Sequence, residues 1–85
     1  MYYVLSTVVN DADSTEPQVR LQMDIATQSR DKARKMFEKN IVDAELEGFR
    51  YKESTYTISS EYCFCQMVYK DGRENVLYCT KMFKA

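Results

Sequence analysis

The sequence contains no histidine, which removes both the commonest general base and the commonest zinc ligand. Only two glycines and one proline interrupt its 85 residues. With 45% hydrophobic residues and so few chain breakers, it belongs with ordered globular proteins and not with disordered tails. There is no Gly-rich phosphate loop, no nucleophile elbow, and no Ser/His or Cys/His pair. The chain therefore reads as non-enzymatic, with no cofactor. Long apolar runs are also missing. The opening MYYVLSTVVN has no basic flank and is broken by Ser6 and Thr7, so it is expected to be neither a signal peptide nor a membrane span. Charge of one sign is lacking too: 12 basic residues face 13 acidic ones. That balance argues against a dedicated nucleic-acid binder. Cysteine is sparse and odd in number, three in all, which fits a reducing cytoplasm better than a disulfide scaffold.

What is present is one convincing helical period, in residues 29–48, SRDKARKMFEKNIVDAELEG. Ala33, Phe37, Ile41 and Ala44 recur at spacings of four, four and three and share one stripe, with Met36 on its flank. Ser29 can cap the helix start, and Gly48 can close its end in the left-handed conformation, with Phe49 folding back onto the last turn.

Everything else has the period of strands. Tyr2 to Val9 is β-branched and aromatic, apolar on both faces, and reads as a central strand. Asn10 to Pro17 is a polar turn cluster. Its acids resemble a calcium loop only at the first positions, since Glu16 stands where a glycine is needed. Val19, Leu21, Met23 and Ile25 alternate with Arg20, Gln22 and Asp24, so their apolar face is expected under the helix with Phe37 and Ile41. Phe49 to Ser59 is a weaker strand. Tyr62 to Tyr69 and Asn75 to Phe83 flank Lys70-Asp71-Gly72-Arg73, a hairpin signal. A two-residue Asp71-Gly72 loop would set Phe64 opposite Cys79. A three-residue loop with Gly72 as a bulge would set Phe64 opposite Tyr78, Glu61 opposite Lys81 and Cys63 opposite Cys79, and is preferred. A long bent strand from Thr55 to Tyr69 is the alternative that leaves four strands. The expected fold is α+β, a single domain over 1–85: one helix, 29–48, on one face of a mainly antiparallel sheet in the order β-β-α-β-β-β.

The last hairpin is apolar on both faces, and one helix can cover only one of them. If Cys63, Cys65, Met67, Leu77 and Cys79 lie under the helix, then Tyr62, Phe64, Val76 and Tyr78 form an uncovered partner-binding surface. Its occupant would be a second copy or another protein. The dull reading is that the sheet curls and the N-terminal strand covers the patch. Aromatic sheet faces can also stack bases, but basic residues are few beside these rings and Glu61 and Glu74 lie among them. Arg30, Lys32, Arg34 and Lys35 crowd the helix start, against the preference of its dipole, and form a candidate anion site. The blander account is a solvated face laced by Asp31–Lys35, Arg34–Glu38 and Lys39–Asp43 pairs. Zinc would need four ligands, and Cys63, Cys65 and Cys79 are read as buried hydrophobes, not a metal site. The function expected is a small interaction module, self-associating or binding a partner protein, of a size that suits an inhibitor or accessory protein of a mobile element. The alternative is an anion or nucleic-acid binder using the basic half of the helix.

Overall fold

The structure, a computed structural model, describes residues 1–10, 18–69 and 76–85, without the side chains of residues 18 and 51–55. The Asn10–Pro17 loop, beyond Asn10 itself, and the Asp71-Gly72 turn lie outside the described residues. Five strands and one helix follow the anticipated order: β1 (Tyr2–Asn10), β2 (Gln18–Thr27), α1 (Arg30–Glu47), β3 (Phe49–Ile58), β4 (Tyr62–Tyr69) and β5 (Val76–Lys84). They form a single antiparallel sheet in the spatial order β2-β1-β5-β4-β3, with α1 packed on one face, an α+β fold.

The helix ends where local chemistry ends it. The Ser29 hydroxyl accepts from the Lys32 N–H at 3.2 Å, satisfying one of the free donors of the first turn. Gly48, at φ 110°, donates its N–H to the Ala44 and Glu45 carbonyls and so closes the last turn. The buried stripe is Ala33, Phe37, Ile41 and Ala44. It packs onto Val4, Phe49, Cys63, Cys65, Met67 and Met82, and Phe49 meets Tyr69 edge to face with ring centroids 4.8 Å apart.

Two strands present the opposite side to the one their alternation predicts. In β2, Val4 pairs with Ile25 and Leu5 with Met23, which leaves Asp24 as an extra, bulged residue. The bulge resets the alternation. Ile25 packs on the core, whereas Val19, Leu21 and Met23 are 64%, 68% and 57% exposed and Leu21 lies with Leu5 and Phe64 on the face away from α1. The expected burial of Leu21 and Met23 with Phe37 is thus overturned. In β5, Phe64 stands opposite Lys81, Cys63 opposite Met82 and Gln66 opposite Cys79. Neither register weighed for a tight Asp-Gly loop occurs. Compared with the preferred one, every β5 side chain has changed face, as any odd shift in pairing requires. Tyr62 to Ser59 makes the β3–β4 turn through backbone and hydroxyl hydrogen bonds, so β3 and β4 are separate strands and the four-strand alternative falls.

Candidate functional site

The face opposite α1 is the first candidate. It brings Tyr3 and Leu5 of β1, Leu21 of β2, Phe83 of β5 and Phe64 of β4 to one surface, as the strand registers and the shared hollow at Leu5, Leu21, Phe64 and Cys79 require. That hollow is about 410 Å³. Tyr3 and Phe83 stack with centroids 5.6 Å apart, and the Lys81 ammonium sits 5.1 Å from the Phe83 ring centre, a cation–π geometry. Among the described residues no element covers this face.

Of the four residues expected to form the aromatic surface, the structure brings only Tyr62 and Phe64 here. Val76 and Tyr78 pack against the core cluster on the α1 side. The cause is the β5 register: the pairing stands three residues from the preferred one, an odd shift that exchanges Val76 and Tyr78 for Leu77 and Cys79. The same exchange separates the thiols. Cys63 and Cys65 are buried beneath the helix, whereas Cys79 lines the open hollow. Burial pushes the Cys65 thiol up to about 11, with Cys79 and Glu45 adding to the effect, and burial also raises Cys79. At neutral pH both are held as unreactive thiols.

The second candidate is a polar seam that the sequence reading missed. Asn40 lies within the apolar stripe of α1, and its side-chain amide donates to Asp24 Oδ2 at 2.8 Å, Thr80 Oγ1 at 3.1 Å and Ser6 Oγ at 3.2 Å. Ser6 gives its one hydroxyl proton to Asp24, so the Tyr78 hydroxyl, 3.2 Å away, donates to Ser6. Gln22 donates to the other Asp24 oxygen at 2.9 Å. Burial raises the Tyr78 hydroxyl above its ordinary value. A cleft of about 350 Å³ opens above the seam, edged by the exposed Arg20, Asp43 and Glu47. The polar groups within the seam are bonded to one another, which makes it a latch between α1, β1, β2 and β5. The signal that could have found it was Asn40 itself, three residues after Phe37 and four before Ala44, on the face that must be buried.

At the helix start, Arg30 and Arg34 share a shallow cleft of about 280 Å³ with Asp31 and Ser60. Arg34 is bonded to Glu38 at 3.1 Å, and Lys39 to Asp43 at 2.7 Å. Lys32 and Lys35 are exposed and do not line that cleft, so the four basic residues do not converge. No three His, Cys, Asp or Glu side chains gather to hold a metal among the described residues, and no helix there is long and apolar enough to cross a membrane. Comparison with protein-family models, curated proteins and solved structures finds no match, so the reading of this chain rests on its own residues.

Proposed function

We propose that this chain is a non-enzymatic protein-interaction module whose working surface is the sheet face opposite α1, in contact with a partner protein or a second copy of itself. The observation that carries the reading is the apolar character of a face that no element covers among the described residues, with Leu21 68% and Met23 57% exposed on the same face as the Tyr3–Phe83 stack. Soluble monomers rarely leave such patches open. Five strands about 4.8 Å apart and eight residues long at about 3.3 Å each give a face of roughly 600 Å². Two such faces together remove about 1,200 Å², the lower bound for a stable specific interface. Tyrosines suit it, since the ring buries area while the hydroxyl stays wet at the rim.

The anion-binding alternative has weaker support, because Asp31 stands among the basic residues and Arg34 is engaged by Glu38. Sedimentation across a range of protein and salt concentrations separates the two. The interface reading expects association that salt barely alters and that Tyr62→Glu with Phe64→Glu abolishes while circular dichroism is kept. Affinity for polyanions falling linearly in log K against log salt would instead favour the basic helix.

A further inference from the structure

The sheet has two edges, and they differ. β3 bears Arg50, Lys52 and Glu53 in its sequence and its pairing with β4 shifts between Tyr51 and Tyr56. Charges and irregularity are the usual means of keeping an edge strand from recruiting another. β2 has its irregularity, the bulge at Asp24, only in its second half, and Arg20 is the one charge before it. From Val19 to Met23 its register with β1 is unbroken, it contains neither proline nor lysine, and its Val19, Leu21 and Met23 side chains stand in solvent. Among the described residues no strand lies beyond it. Its outward N–H and C=O groups are a template for one more strand.

We propose that β2 pairs antiparallel with β2 of a second copy, about a two-fold axis through Gln22, joining two sheets into one of ten strands. The sequence of the edge argues for that occupant. With the axis at Gln22, Arg20 of each copy stands opposite Asp24 of the other, and Leu21 opposite Met23. Two opposite-charge pairs and two apolar pairs then form on their proper faces. An axis at Leu21 would set Arg20 against Gln22 and leave Asp24 without a cationic neighbour. Antiparallel self-pairing is closed by its symmetry, so it ends at a dimer and does not run on into fibres. The edge shares Leu21 and Met23 with the open face, but the pairing rests on the β2 backbone and on Arg20 and Asp24, and not on that face being an interface.

The test is a symmetry-specific cross-link with a charge exchange. Residues facing each other across an antiparallel pair have Cα atoms about 4.5–5.5 Å apart, inside the range a disulfide spans. Gln22→Cys should therefore oxidise rapidly to a covalent dimer, whereas Gln28→Cys and the wild type, with its native cysteines, should not. Arg20→Glu should weaken the dimer at least tenfold, and so should Asp24→Lys. Mixing the two variants should restore association, because the heterodimer regains both opposite-charge pairs. If Asp24→Lys does not fold, Arg20→Glu and the cross-link carry the test. A wild type that sediments as a monomer at tens of micromolar overturns the proposal. So does a dimer that Tyr62→Glu with Phe64→Glu dissociates while Arg20→Glu and Gln22→Cys leave it unchanged; that result would keep the open face as the interface. A dimer sensitive to Arg20→Glu alone supports the edge and removes the open face as the site of self-association.

Discussion

Asn40 donates its side-chain amide to Asp24, 2.8 Å from Nδ2 to Oδ2, and this bond ties the middle of the helix to the bulged residue of β2. A polar group in the centre of a buried stripe restricts what may lie beneath it. Sliding β2 by one residue would set Met23 or Ile25 against the amide in place of the carboxylate, at the cost of an unmet buried donor, about 1–3 kcal/mol. The apolar residues Val19, Leu21 and Met23 are thereby kept on the outer face.

Asn40→Ala should accordingly cost about 1–3 kcal/mol in urea unfolding, since it removes bonds to three acceptors at once. A double-mutant cycle with Asp24→Ala should return a coupling of about 0.5–3 kcal/mol. Additive single effects would mean that the latch does not act as a unit.

Phe37 and Leu21 should respond in opposite ways, although both sit on apolar periods in the sequence. Phe37 is fully buried, and Phe37→Ala should destabilise by about 3–5 kcal/mol. Leu21 is on the open face, so Leu21→Ser should change the stability of the isolated monomer by no more than about 0.5 kcal/mol. Thermal melts at low protein concentration compare the two directly.

Gly48→Ala should be costly for a local reason. The residue sits at φ 110°, and an added Cβ would lie 3.3 Å from Cε1 of Tyr69. Left-handed strain alone is worth about 1–2 kcal/mol, and the ring must also give way. A loss smaller than about 0.5 kcal/mol in equilibrium unfolding would mean that the helix ends differently.

Alkaline pH should destabilise the fold through Cys65. Its thiol ionises at about 11 in the native state against an ordinary value of 9.0, burial being the main cause. Between those two values the unfolded chain has lost a proton that the native chain retains, so stability falls as pH rises from 9 toward 11. Burial of Tyr78 acts in the same direction. Cys65→Ala should flatten the decline across that window while lowering stability at neutral pH. An unaltered slope in pH-dependent denaturation would assign the effect elsewhere.

The helix was legible because its signals are local. Ser29, the stripe at Ala33, Phe37, Ile41 and Ala44, and Gly48 all act within a few residues of one another, and the element runs from Arg30 to Glu47 between its caps. The order of strands was legible for the same reason. The facing of β2 and β5 was not. A strand has a side-chain period of two, so a shift of one residue turns all its side chains over, and that choice is made between strands. For β2 it is made by the bulge at Asp24 and the reach of Asn40, sixteen residues away in the chain. For β5 it is made by pairing with β1 as well as β4, which places Thr80 opposite both Ser6 and Cys65 and sends Tyr78 inward and Phe83 outward. The two-sided apolar pattern of the last hairpin said only that one helix cannot cover both of its faces; the tertiary pairing decided which residues stand on the side away from α1.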